Sequence, residues 1–273
     1  MKTILVDPDR CMQCCLCQQA CKDEHCDNDW SPIAKPQGKS QFWVKCNETE
    51  VGSGTRMKLH RVTVMCQHCS NAPCIAAGEG AVYRREDGYV IIDPEKAVGN
   101  RAIAEACPYG AVYYNEELDL PQKCTMCAHL LDMGWKQPRC VTACPADALT
   151  YVDTDELTVD NMYAPLERLH PEYGTDPQVA YVNLPKPFIA GAVYDPKADK
   201  CLANVLVTAT HMVTGKASSA YSDTLGEFRL VKLDPGFYTV SFFKDGYCYK
   251  ELSKIDARVS PNIEDVVLYP LPS

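Results

Sequence analysis

Cys11-Met12-Gln13-Cys14-Cys15-Leu16-Cys17-Gln18-Gln19-Ala20-Cys21, or CMQCCLCQQAC, decides how the rest of the chain reads. Its Cys-x2-Cys-x2-Cys-x3-Cys rhythm is the spacing with which a chain wraps a [4Fe–4S] cluster. The first three thiolates hold one cluster and the fourth reaches across to a second, so a distant partner run is required. That partner is Cys124-x2-Cys127-x12-Cys140-x3-Cys144-Pro145. Crossing the two runs gives two complete thiolate sets: Cys11, Cys14 and Cys17 with Cys144, and Cys124, Cys127 and Cys140 with Cys21.

A third run, Cys66-x2-Cys69-x4-Cys74 in CQHCSNAPC, supplies three thiolates and needs a fourth. Cys107 is assigned to it because Cys107-Pro108 opens a repeat of the Cys144-Pro145 unit. CPYGAVYY (107–114) and CPADALTY (144–151) share the order Cys, Pro, two small or polar residues, Ala, an apolar residue, any residue, Tyr. In each copy proline ends the ligand helix and a strand follows. AGEGAVY (77–83) reads as a degenerate third copy without its Cys-Pro. No nucleophile–base constellation and no Gly-rich phosphate loop is present, so no catalytic residue is expected in this chain.

Taken alone, Cys124, Cys127, Cys140 and Cys144 also suit tetrahedral zinc; Cys11–Cys21 and the two Cys-Pro signals in the same domain favour iron–sulfur clusters. Cys15 falls between ligands and using it would break the rhythm. Cys26, Cys46, Cys201 and Cys248 have no spacing partner and are expected as buried thiols. His25, His60, His68 and His129 lie near the runs, where hydrogen bonding or charge is the expected role rather than ligation. Lys123, beside Cys124, and Arg10, beside Cys11, are either surface residues or positive charges that tune cluster potential.

Seventeen cysteines in 273 residues, fifteen of them before residue 145, are an odd and uneven set. That distribution fits metal ligation in a reducing, anaerobic interior and not a secreted disulfide scaffold. A formal charge of −9 argues against nucleic-acid binding, which leans on basic surface. No stretch approaches the ~18 apolar residues of a membrane span. Met1–Cys11 lacks the apolar core of a secretory signal and the twin arginine of an export signal, so a cytoplasmic location is expected.

Three regions follow from composition. Residues 1–152 hold the cysteine runs, 153–187 form a proline-rich linker (Pro165, Pro171, Pro177, Pro185, Pro187), and 188–273 read as strands with turn punctuation. In the first region the pattern predicts strands at 3–6 and 61–65, a short helix near 18–25, and a long loop over 27–60 with a short strand at 41–46. It also predicts a hairpin around Asp87-Gly88 and a helix capped by Asp93, begun by Pro94 and running to Ala106. In the last region strands are expected at 189–194, 205–210, 217–222, 227–231, 237–243, 247–252 and 266–269. Strands every ten residues or so make an antiparallel β-sandwich. The fold class is therefore α+β, an iron–sulfur domain followed by a sandwich.

CMQCCLCQQAC, CQHCSNAPC, EACPYGAVYY and KCTMCAHL…PRCVTACPADAL, in that order, resemble the iron–sulfur subunit of the dimethyl-sulfoxide-reductase type of molybdenum enzymes, over about residues 3–152. The resemblance implies a duplicated, bacterial-ferredoxin-like domain with an electron-transfer role. It also implies a large catalytic partner that holds molybdenum with molybdopterin guanine dinucleotide. Members of that family usually hold four clusters. Here DPEKAVGNRAIAEACP (93–108) aligns with a cysteine run of the family, and Ala97, Asn100, Ile103 and about Gly78 stand where it has ligands. One whole set is missing, which leaves three [4Fe–4S] clusters. The C-terminal strands, AGAVYDP through FYTVSFFKDGY, resemble carboxypeptidase-regulatory or transthyretin-like modules. Two other readings stand beside this one. A free-standing polyferredoxin would need neither the 27–60 loop nor the 153–187 segment. A ligand-binding sandwich would need an aromatic face, yet Phe237, Tyr238, Phe242, Phe243, Tyr247 and Tyr249 mostly alternate as core strand residues do.

Overall fold

Lys-Thr-Ile-Leu-Val, residues 2–6, makes a strand whose last four residues are all buried, because it lies between two others in a sheet covered on both faces. In this computed structural model residues 1–154, 157 and 165–272 are described. The chain forms two units, Met1–Asn47 with Arg61–Leu184, and Glu48–His60 with Pro185–Ser273. The part of the expected linker at 155–156 and 158–164 lies outside the described residues.

The first unit runs β1 (Lys2–Val6), α1 (Leu16–His25), β2 (Val44–Val51), β3 (Lys58–Met65), α2 (Pro73–Ala77), β4 (Val82–Arg84), β5 (Val90–Ile92), α3 (Ala102–Glu105), β6 (Val112–Asn115), β7 (Leu120–Lys123), α4 (Ala128–Asp132), α5 (Arg139–Thr142), β8 (Leu149–Asp153) and β9 (Ala180–Tyr181). The tip of the β2–β3 hairpin, Glu48–His60, is grouped with the second unit. β1 pairs antiparallel with β8, from Lys2↔Asp153 to Val6↔Leu149, and parallel with β9 at Leu5 and Val6. The stretch expected as a linker thus supplies a strand to this sheet. β4–β5 and β6–β7 are two-stranded hairpins. The repeat seen in the sequence is α3–turn–β6 and α5–turn–β8, a short helix whose cysteine and proline hand the chain to a strand.

One local expectation holds and two change. The β4–β5 turn closes at Gly88, φ +92, as an Asp-Gly turn requires. The helix expected over 94–106 is reduced to Ala102–Glu105. Gly99 takes φ +75, a left-handed conformation that interrupts a helix, and its N–H goes to Asp119 O at 2.7 Å instead of to a helical carbonyl. Asp93 does receive the N–H groups of Glu95 and Lys96 at 3.0 and 3.2 Å, but they close a turn. In the expected 27–60 loop, the hairpin of β2 and β3 occupies the second half.

The second unit holds β10 (Ile189–Asp195), β11 (Lys200–Cys201), β12 (Leu206–His211), β13 (Ala217–Tyr221), β14 (Glu227–Leu230), β15 (Phe237–Phe243), β16 (Lys250–Asp256) and β17 (Asn262–Val267). They form two four-stranded sheets: β11-β10-β14 with β17 also on β10, and β13-β12-β15-β16. Burial alternates along β12, β14 and β15, the mark of sheets with one face inside. Val193, Val207, Phe228, Val240 and Phe242 fill the core. β17 runs parallel to β10, the one departure from antiparallel pairing here among the described strands. The last two strands begin three residues later and four earlier than expected. Tyr247 is used differently: its hydroxyl donates to the Asp195 carboxylate at 2.9 Å.

Candidate metal centres

α1 sets Cys17, Cys21 and His25 four residues apart on one buried face, as helical spacing requires. The chain enters α1 through left-handed backbone at Gln13 (φ 60) and Cys15 (φ 58) and enters α4 through Met126 (φ 59) and Cys127 (φ 52). Such conformations cost a non-glycine residue about 1–3 kcal/mol, so the packing around these loops has to hold them. Pro138 starts the turn into α5, which carries Cys140.

Cys21, Cys124, Cys127 and Cys140 come together, each no more than 6% exposed. Burial, followed by charge repulsion from Cys124, lifts the Cys127 thiol to about 12. Burial also lifts Cys124 to about 11, with Cys66 the next contributor. Cys21 and Cys140 are driven well above an ordinary thiol by burial and then by the other thiols of this group. His25 Nε2 lies 3.8 Å from Cys127 Sγ, and burial, then His129, brings its pKa down to about 3. His129 Nε2 lies 3.1 Å from Glu24 Oε1.

Cys66, Cys69 and Cys74 are buried and Cys107 is half-buried. Burial, with the thiols of Cys66 and Cys107 contributing, raises Cys69 and Cys74 to about 11. Burial raises Cys107 too, and Cys66 adds to it. Lys123, 2% exposed, stands between this group and the previous one. Its ammonium donates to Val90 O and, at 3.1 Å, to Cys124 O, and it opposes the rise at both Cys74 and Cys124. Of the two candidate tuning charges, Lys123 is interior; Arg10 is exposed and donates to Asp147 O at 3.2 Å.

Cys11, Cys14, Cys17 and Cys144 line one cavity, together with Cys15, Cys46, Thr63 and Leu149. Cys14 is exposed where Cys17 is buried, so this group opens to solvent on one side.

No disulfide is formed among the described cysteines. Among the described residues no three His, Cys, Asp or Glu side chains close on a single ion. A four-iron core sets each thiolate on its own iron, so its ligands stand wider apart than the ~2.3 Å bonds of a zinc site allow. Buried thiols that raise one another's pKa need a cationic counter-charge before they ionise. The donor sets therefore fit iron–sulfur cores.

The positions of the missing set do not fit one. Ala97 and Ile103 are fully buried with Val82, Val90, Ile92 and Val112. Asn100 Nδ2 donates to Ala77 O at 3.1 Å. A Cβ on Gly78 would meet Val82 Cγ2 at 2.5 Å. Hydrocarbon occupies the space a cluster would need.

Two contributors have no spacing signal. Thr175, 3% exposed, lowers the Cys69 thiol by hydrogen bonding. Its segment covers the third run, with Ser70 N donating to Asp176 O at 2.8 Å and Asn71 N to Thr175 O at 3.0 Å. Cys46 is the other, and it stands beside Cys17 instead of alone in a core. Cys201 and Cys248, expected buried, are exposed, and Cys26 is half-exposed: Cys201 ends the two-residue strand β11, both of whose residues are exposed, and Cys248 lies in the connection before β16, where Tyr247 takes the inward position.

Residues 57–154 match the 4Fe-4S dicluster domain and residues 189–268 the carboxypeptidase regulatory-like domain. Fold and thiolate sets together define an iron–sulfur electron-transfer subunit. The chain is 37% identical over 267 residues to the pyrogallol hydroxytransferase small subunit of Pelobacter acidigallici, covering 93% of this chain and 94% of that one. It is 33% identical to a putative iron-sulfur subunit of dimethyl sulfoxide reductase from Halobacterium salinarum, over 66% of this chain and 78% of that one. It is 36% identical to the thiosulfate reductase electron transfer subunit of Salmonella typhi, over 56% of this chain and 76% of that one. The chain belongs to the family of iron–sulfur subunits of dimethyl-sulfoxide-reductase-type molybdenum enzymes. Among the described residues no helix is long and apolar enough to cross a membrane.

Proposed function

We propose that this chain is the electron-transfer subunit of a cytoplasmic hydroxytransferase that converts pyrogallol to phloroglucinol. Its large partner holds molybdenum with molybdopterin guanine dinucleotide. Cys11, Cys14, Cys17 and Cys144 hold one [4Fe–4S] cluster, Cys21, Cys124, Cys127 and Cys140 a second, and Cys66, Cys69, Cys74 and Cys107 a third. What carries the reading is the span of the likeness. It runs through both domains, 93% of the chain, for the hydroxytransferase subunit and stops at 56% for the thiosulfate reductase subunit. The filled fourth site supports the count of three.

Bound, such clusters supply one-electron transfer. The chain's own residues hold them, exclude water and set their electrostatics. Buried thiols and the interior Lys123 do so for the second and third sets; exposed Cys14 leaves the first open. No residue here is assigned to catalysis. Pyrogallol and phloroglucinol are isomers, so the overall conversion consumes no electrons.

Anaerobic purification tests this. The expected result is co-elution with a large molybdenum-containing chain and about twelve irons per copy of this chain, at four per cluster. A stable monomer carrying clusters would make the chain a free polyferredoxin. About sixteen irons would overturn the filled site. A complex that reduces an S-oxide or oxyanion and leaves pyrogallol unchanged would place it with another molybdenum oxidoreductase.

A further inference from the structure

Five cysteines besides Cys17 line the first cavity, and one of them, Cys46, comes from β2 and not from either ligand run. Its sulfur lies 3.5 Å from Cys17 Sγ. Two side chains of the Cys11–Cys21 run hold its backbone in place. Gln18 Oε1 accepts from Cys46 N at 3.1 Å, and Gln13 Nε2 donates to Cys46 O at 3.1 Å. Thr63, 2% exposed, lies beside the same thiol, hydrogen-bonded to Cys46 with its hydroxyl 3.9 Å from Cys11 Sγ. The ligand run therefore fixes a fifth thiol against one of its own cysteines.

This inference rests on the reading of Cys17 as a ligand. A cluster takes four thiolates, and the set of Cys11, Cys14, Cys17 and Cys144 is complete without Cys46. A cysteine bound to iron carries no proton. The hydrogen in the Cys17–Cys46 contact then belongs to Cys46, which becomes the donor. A hydrogen bond to a ligand sulfur draws charge off it and favours the reduced, more negative cluster. We infer that Cys46 is a positioning residue whose thiol donates to Cys17 Sγ and raises the reduction potential of the cluster held by Cys11, Cys14, Cys17 and Cys144. The other two sets have other neighbours, His25 beside Cys127 and Thr175 beside Cys69, so the effect is confined to one cluster.

The test is a redox titration of the anaerobically purified complex, followed by electron paramagnetic resonance, with iron counted on the same samples. For Cys46→Ala the expected result is unchanged iron, one of the three potentials lowered and the other two unmoved. Cys46→Ser, which keeps a donor, recovers part of the shift. Gln18→Leu, which frees the Cys46 backbone and leaves every thiol in place, lowers the same potential by less. Three unmoved potentials in Cys46→Ala would overturn the inference. Loss of about four irons would overturn it in another way, by making Cys46 a ligand. Cys17→Ala separates this from the underlying assignment: if that variant, which has no donor atom, keeps all its iron, Cys17 is not a ligand and the cluster reading fails first.

Discussion

The two halves of the iron–sulfur unit are copies of one plan with different fillings. In one half, the Cys11–Cys21 run meets the Cys124–Cys144 run: Cys21, Cys124, Cys127 and Cys140 are buried together, and Cys11, Cys14, Cys17 and Cys144 line a cavity open at Cys14. In the other, Cys66, Cys69, Cys74 and Cys107 keep one thiol set, while Gly78, Ala97, Asn100 and Ile103 close the second position with hydrocarbon and one amide. The helix–turn–strand unit survives in both. Close-packed side chains thus fill the second position of that half, and the helix–turn–strand plan around it is kept.

Removing iron should break the comparison most visibly. Anaerobic chelation leaves α1, α4 and α5 around an emptied group of thiols, whereas α3 and the β4–β5 hairpin keep the core of Val82, Val90, Ile92 and Ile103. Hydrogen exchange should show loss of protection across the crossed half and retention in α3 and β5. Uniform loss would mean that the filled site does not stand on its own. Next in size, Ile103→Ala opens a cavity at a fully buried position and should cost about 2–5 kcal/mol, read from denaturant melts of the loaded protein. A cost below that range would mean the site collapses easily.

Gly78→Cys should cost about 1–3 kcal/mol by overpacking against Val82. Even with Ala97→Cys, Asn100→Cys and Ile103→Cys added, iron should stay near twelve per chain, at four per cluster, until Val82 is also trimmed. A gain of a fourth cluster without that change would show that Val82 yields.

The smallest effect concerns the link between the halves. Arg85, beside the β4–β5 turn, reaches Asp132 of α4 with two hydrogen bonds, 2.9 and 2.6 Å. Arg85 holds the Asp132 carboxyl below its ordinary range. A depressed carboxylate stabilises above its unfolded pKa, and the contribution is lost as pH falls through the folded one. Asp132 is half exposed, so Asp132→Asn should cost under about 1 kcal/mol at pH 7. In urea melts the difference from the parent should shrink as pH falls below about 4; a difference that persists in acid would point to packing instead of charge.

Much of this was legible in the sequence, for a physical reason. Cysteine spacings of two to four residues map onto single turns, so the run in which each thiol lies also states roughly where it points. Alternation in FYTVSFF likewise stated which face is inside, and β15 keeps Tyr238, Val240 and Phe242 buried. The β17 pairing was not legible, since a parallel partner carries no turn to announce it. Cys46 and Thr175 were missed because each approaches a cysteine run from a distant segment, where spacing says nothing. The helix over 94–106 was overread: alanine content favoured it, but one left-handed glycine bonded to Asp119 decided against it. Domain limits drawn from composition also could not show that Ala180–Tyr181 returns to pair with β1.

That return has a consequence for how the protein is made. β1 leaves the ribosome well before its partners, which begin at Leu149 and Ala180. At about 5–20 residues per second of synthesis, the thiols of Cys11–Cys21 wait roughly 6–25 s for Cys144 to emerge. Through that interval the run is a reduced, unpartnered loop that depends on its surroundings to stay reduced. Bringing the two runs together is therefore timed by chain order, and more than half of the 273 residues have to be made before Cys144 can meet the first run.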